Sequence, residues 1–573
     1  MNCKRLLLAV VLLAAACGKQ EDGPQSTLPE AEITLTKTEV TLDYKSDAQG
    51  LLKVTASLNW TAESSDSWLT LSPTSGTADK SVTLRLKAAA NPQQEPRNAT
   101  VTVRSGRSSA TIAVTQKAAP EILTPEQVPD HARIYIPQQY RSHAFLQGDQ
   151  EWFFGRSIQS DHFILFWSSE YGDQRPDAGG NLTGNSNYAS GGKVKVNLNE
   201  VLSFLEDCFK TYTGKLGFAD IGEGKSYLDE YKMMIFLNNQ KAWKAEGWGY
   251  DATVGAFWVN PDACADHFVV AHEIGHSFQY QVYCDLVHNG APDNGLRAWQ
   301  PAAQTGNGCT FWEQTSQWQA SVMVPEQTFT EWQFTDKSAG FAANAHRHIL
   351  HEDMRYASYL IQRAWTTRYG MDAVGRVWRS AKSPDDALQA YQHLFGLDLE
   401  ELNAHLYDYA ARVATMDFDD TRDEGYRHLD IVKWQKTRQG DGYVVNKARV
   451  PEATGFNIIK LNNFTEGENV VLHLEGRPNA DGYNKCDASK AGWTVGFVGL
   501  DADNQTRYYS DTAIATNGTE LKASVSFAVP AGCKRLWAVV SATPTAYIGH
   551  VWDGNNNNDP EWPYYIEFEG ANP

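Results

Sequence analysis

Long apolar runs are nearly absent from this chain. Beyond Met1–Cys17 no stretch of the 573 residues reaches the roughly 20 apolar positions that a membrane-spanning helix needs, so the body of the chain is not built to cross a bilayer. Positive charge is also short: 50 Lys and Arg stand against 69 Asp and Glu, a formal net charge of −19. That excludes a nucleic-acid partner, whose phosphates demand basic surface, and favours solubility outside the cell. Cysteine is scarce as well. Leaving aside Cys3 and Cys17, six remain: Cys208, Cys264, Cys284, Cys309, Cys486 and Cys533. If the chain is exported, an even number permits three disulfides, with Cys284–Cys309 clipping one loop and Cys486–Cys533 stapling the C-terminal part; buried free thiols are the alternative.

What is present begins with an address. Lys4 and Arg5 precede an apolar run from Leu6 to Ala16, too short for a permanent span, and Ala14-Ala-Ala-Cys17 follows. The segment resembles a bacterial lipoprotein signal. That resemblance implies lipidation of Cys17, and Gly18-Lys-Gln-Glu-Asp22 resembles the acidic tag that sends lipoproteins of the Bacteroidetes to the cell surface. The expectation is an outer-membrane lipoprotein, touching the membrane only through its anchor, with a polar tether over 18–30.

Short alternating runs then take over, such as Val82-Thr-Leu-Arg-Leu86 and Ala110-Thr-Ile-Ala-Val-Thr-Gln116, and predict a small Ig-like β-sandwich over 31–117. Asn59-Trp60, Ser67-Trp68-Leu69, Arg97-Asn-Ala-Thr100 and the closing Val114-Thr115-Gln116 resemble the BACON domain, a Bacteroidetes-associated module for which glycan contact is proposed. Trp60 and Trp68 fall at expected core positions, which favours a spacer.

The chemistry is carried by His272-Glu273-Ile274-Gly275-His276. On a helix, side chains four apart stand on one face, so two imidazoles can hold one zinc ion while Glu273 serves as general base. Zinc needs a third protein ligand. A third His six residues on is excluded, because Gln279 and Val282 occupy the positions of Gly and His in that pattern. Glu313, at the start of a second helical pattern, is the candidate. Glu313-x-x-Ser316-Gln317 resembles the second helix of the gluzincins, with Gln317 where that family often carries Asp, which puts the usual carboxylate behind a ligand His in doubt. By analogy with zincins, Gly255, Ala256, Phe257, Trp258 and Val259 would form the strand edge that pairs with substrate. Asn344 to Arg368 reads as one long helical stretch, on which His351 and Tyr356 are candidates for the donor that stabilises the oxyanion.

Most of 125–545 is similar to bacterial secreted proteins that carry an HEIGH helix and a Trp-Glu helix but no settled activity. The expectation is therefore multidomain: the N-terminal sandwich, an α+β zincin-like domain over 118–430 and a C-terminal β-sandwich over 431–573. Function is read as a monomeric, surface-exposed zinc metallopeptidase acting on protein or glycoprotein. The rivals are a glycan-binding lipoprotein with an inactive zincin-like domain, and a metal-dependent hydrolase of another bond.

Overall fold

The computed structural model describes residues 28–172, 175–177, 196–291, 310–331, 334, 336, 340–357, 359–382 and 384–573. Cys17, the leader and Cys309 lie outside them. The chain divides into two compact units, up to Ile122 and from Leu123 to Pro573.

The first unit is a pair of sheets. One runs Ile33–Leu35, Gln49–Ala56, Val82–Ala88, Leu69–Ser72; the other runs Glu39–Leu42, Ser108–Gln116, Arg97–Ser105, Trp60–Ser64, Ser75–Gly76. The period of two works as expected: Leu84, Leu86 and Ala88 point inward while Thr83, Arg85 and Lys87 face water. Trp60 is sealed in this core, and Trp68 is half-buried with the Arg97 guanidinium 4.5 Å above its ring. Trp60 is therefore a core residue, while Trp68 keeps part of its ring exposed.

The second unit is built around a five-stranded sheet: β1 (Ser157–Gln159), β2 (Phe163–Trp167), β3 (Met233–Leu237), β4 (Ala245–Tyr250) and β5 (Val254–Val259), in the order β1-β2-β3-β5-β4. β2, β3 and β5 run parallel and β4 returns antiparallel as an edge. Every residue of β2 and β3 is buried, as their uninterrupted apolar sequences require. Helix α1 (Leu198–Lys210), capped by Asn197, continues into a π-turn over Thr211–Lys215. Helix α2 (His267–His288) lies against β4 and β5, and α3 (Thr310–Met323) packs along it.

Three expectations are corrected here. Asn344–Arg368 is not one helix: Phe341–Asn344 ends, turns follow, and a new helix covers Leu360–Tyr369. Tertiary bonds capture the intervening backbone, with the amides of His348 and Ile349 donating to Glu452 and Thr454. Nor is the C-terminal sandwich a separate body. In its sheet, Phe456–Leu461, Cys533–Ala542 and Gly492–Asp501 are buried on both faces along most of their length, and Arg507–Tyr509 is a more exposed edge. Ile458, Val498, Leu500, Trp537 and Val539 join the core of the central region, whereas Ile459, Phe497, Leu536 and Ala538 face the sandwich interior. Cys486 and Cys533 do not form the expected staple. Both are free, Cys533 bonding the Arg535 carbonyl, and Cys208, Cys264 and Cys284 are buried free thiols.

Candidate metal centre

Three local choices bring α2, α3 and β4 together. Asp266 caps α2 by accepting from the amides of Phe268 and Val269, which fixes where the helix begins. Gly275 faces α3, where a Cβ would stand 2.7 Å from Gln319 Oε1. Gly247 faces α2 from the edge strand, where a Cβ would collide with the Glu273 carbonyl oxygen.

The close approach gathers His272, His276 and Glu313. The two Nε2 atoms lie 3.0 Å apart, and Glu313 Oε2 is 3.1 Å from one and 3.2 Å from the other. Protons decide what this means. The Gln279 amide nitrogen donates to the Trp312 carbonyl and to Ser316 Oγ, which turns its oxygen toward His276 Nδ1 at 3.2 Å. The Gln317 nitrogen donates to the Tyr356 carbonyl, which turns its oxygen toward His272 Nδ1 at 2.7 Å. An amide oxygen only accepts, so each Nδ1 carries a hydrogen and each neutral ring presents a bare Nε2 lone pair. With both rings neutral, two lone pairs and a carboxylate oxygen face one another, an arrangement that a bound cation would satisfy. Two His and one Glu fit a divalent ion such as zinc with further positions open. Without an ion, a proton plays that part: burial opposes charge on His276, but Glu313 overrides it and pushes the imidazole up to about 9. Glu313, despite its own burial, is held well below the usual carboxylate range by the two rings. Gln317, whose departure from Asp raised doubt, supplies its ring with the acceptor it needs.

Glu273 sits beside this set, buried, with the Gly247 amide directed at it; burial pushes its carboxyl above the ordinary value while His272 and His276 pull it back. The Tyr356 hydroxyl faces Glu313, and burial together with that carboxylate keeps it protonated. All of these line a cavity of about 770 Å³. Trp243, Trp248 and Trp312 line it, Asp266 and Glu331 also contribute, and among the described residues no Lys or Arg does.

A model of the family of unknown function DUF6055 matches residues 126–573. The chain belongs to the DUF6055 family. A viral BACON domain model matches 32–119, in agreement with the N-terminal resemblance. No curated protein matches. Among solved structures, domains 4 and 5 of the S-layer protein SbsC share 20% identity over 16% of this chain, with a TM-score of 0.13; the DUF6055 chain spans 54% of that fragment. A protein from Bacteroides thetaiotaomicron shares 14% identity over 17% of this chain and 97% of its own, TM-score 0.12. A Bacteroides ovatus GH5 xyloglucanase in complex with a XXXG heptasaccharide shares 12% identity over 66% of this chain and 68% of its own, TM-score 0.16.

Two assignments of site residues fail in this DUF6055 chain. Gly255, Ala256, Phe257 and Trp258 lie on β5, hydrogen-bonded to β3 on one side and β4 on the other, so their backbone has no free edge to offer. The edge is β4, which carries Glu246, Gly247 and Trp248 into the cavity. Glycines two apart, Gly247 and Gly249, were the available signal: at period two they mark a strand face pressed on another backbone. His351 is fully buried away from the cavity, with Nε2 3.1 Å from Asp559 Oδ2. His351, His550 and Asp559 also gather three potential ligand atoms. The proton test goes against a metal there. His351 Nδ1 accepts the Asp353 amide at 2.9 Å, so its hydrogen sits on Nε2 and is donated to Asp559, beside the Arg347 guanidinium.

Proposed function

We propose that this DUF6055 chain is a zinc-dependent peptidase that hydrolyses peptide bonds in protein or glycoprotein substrates. The observation that carries the reading is the convergence of His272 Nε2, His276 Nε2 and Glu313 Oε2 within 3.2 Å of one another, with Glu273 beside them in an open cavity. His272, His276 and Glu313 would hold the ion. Bound there, zinc supplies Lewis acidity, polarising a carbonyl and acidifying water.

Glu273 takes the proton of the attacking water and delivers it to the leaving amine, and burial, by raising its carboxyl above the ordinary value, makes it a stronger base. Tyr356, kept protonated, donates to the oxygen on which charge develops. An extended substrate pairs along the outer edge of β4, as a peptide strand does when it adds to a sheet. Trp243 and Trp248, 45% and 39% exposed, stand at the mouth and would stack on apolar side chains or on the face of an attached sugar. Lipidation of Cys17 would place this activity at the cell surface.

The test is incubation of the mature protein with mucin and serum proteins, beside Glu273→Gln and a chelator control, with new peptide termini mapped by mass spectrometry. Termini lost in both controls are the expected result. A folded, zinc-loaded protein that cuts nothing overturns the reading, and release of free glycans instead would favour hydrolysis of another bond.

A further inference from the structure

The segment 346–357 carries only one 3-10 turn, Glu352–Met354, yet it is bonded on both sides. Toward α3, Gln314 donates to the Ile349 carbonyl at 2.7 Å, Thr310 to the His351 carbonyl at 3.2 Å, and Gln317 to the Tyr356 carbonyl at 3.2 Å. Toward the C-terminal sandwich it meets the strap 548–561. Glu352 is the hub: Oε2 lies 2.6 Å from His550 Nε2, and Oε1 accepts the amides of Asp553 and Gly554, each at 2.8 Å. Asn556 donates to Asp353 at 2.8 Å, and His351 donates to Asp559. The last link is aromatic. The Arg355 guanidinium lies 5.9 Å from the Trp552 ring of the strap and 5.3 Å from the Tyr356 ring.

We infer that the strap 548–561 of the C-terminal sandwich is a positioning device for the metal cavity, holding Tyr356 through Glu352 and Arg355. Without the strap, His348 and Ile349 keep their bonds to Glu452 and Thr454, but the turn 352–356 loses its bonds on the sandwich side and keeps those to α3. A hydroxyl that must meet a developing charge loses about 10–100-fold in rate when displaced by about an ångström. The kinetic part rests on the peptidase reading; the placement of Tyr356 does not.

The test uses the full chain and a double-mutant cycle of Glu352→Ala with Tyr356→Phe, with Asp559→Asn as a milder second variant. Zinc is expected to bind one to one in all of them. Glu352→Ala should lower kcat about 10-fold or more with KM within about twofold, and the double variant should be no slower than Tyr356→Phe alone, because both changes remove the same interaction. A second readout needs no substrate: backbone amide exchange across 353–357 should quicken in Glu352→Ala and, less so, in Asp559→Asn, while α2 stays protected. Losses that add in the double variant, or exchange in 353–357 equal to wild type in both single variants, overturn the inference. If the wild type cuts nothing, the peptidase reading falls and the exchange measurement still decides the placement.

Discussion

Gln317 offers the most demanding test of the metal centre, because it acts on the ion only through the tautomer of His272. Gln317→Met keeps the volume and removes the amide. His272 Nδ1–H then loses an acceptor at 2.7 Å in a place where Gln317 itself is 2% exposed, so water is poorly able to replace it. A buried donor left alone costs about 1–3 kcal/mol. Loss of a partner behind a ligand His weakens metal affinity about 10–100-fold. At fixed free zinc, the stabilisation that zinc confers should fall by about 1.4–2.7 kcal/mol. Gln317→Glu retains an acceptor and should keep zinc affinity within about threefold of wild type. Competition against a chromophoric chelator measures the affinities, and thermal unfolding with and without zinc measures the stabilisation. A Met variant that binds zinc as tightly as wild type would refute the proton assignment, and with it the argument that both Nε2 atoms are free to hold a metal.

Three further outcomes follow from the same geometry. Glu273→Gln should abolish cleavage, keep zinc, and leave stability at pH 8 unchanged or higher, since it replaces a carboxylate that burial disfavours; chelator competition and denaturant titration check both halves. Gly247→Ala should lower stability by about 1–3 kcal/mol and cleavage far more, because the new methyl meets the backbone of α2 at Glu273 and forces β4 away; unaltered unfolding and rate would contradict the close approach. His348 is held neutral, its imidazole pushed down to about 3 by burial and by His550. The unfolded chain therefore takes a proton that the folded chain does not, so this group's contribution is complete above about pH 6.5 and declines toward pH 3, by about 1.4 kcal/mol per pH unit. Denaturant titrations at pH 7.5, 6 and 5 should show that loss in wild type and a flatter profile in His348→Gln.

The HExxH helix and Glu313 were legible because helical spacing alone aligns His272 with His276, and because zinc chemistry dictates that a third ligand exist. The buried strands Phe163–Trp167 and Met233–Leu237 were legible as unbroken apolar runs. What was not legible depended on neighbours. Nothing in Gly255–Val259 tells that β4 folds back to occupy its free side. The run His346–Ala357 has helical composition, but its amides are taken by Glu452 and Thr454, about a hundred residues away. His351 looked like a donor on a helix and instead joins Asp559, a pairing at a separation that no local pattern reveals. The role of Gln317 was uncertain until the Tyr356 carbonyl fixed which way its amide points.

The strands shared between two cores have a consequence for how the molecule can be cut and recombined. Ile458 and Ile459, or Val539 and Val540, are adjacent in the chain yet belong to different interiors. A break near residue 430 would strip apolar cover from both at once, so neither half is a self-sufficient part. The N-terminal sandwich, by contrast, closes its own core from Val40 to Val114. That asymmetry marks Leu123 as the joint at which modules can be exchanged, and the stretch from there to Pro573 as a piece inherited whole, in step with the span of its family.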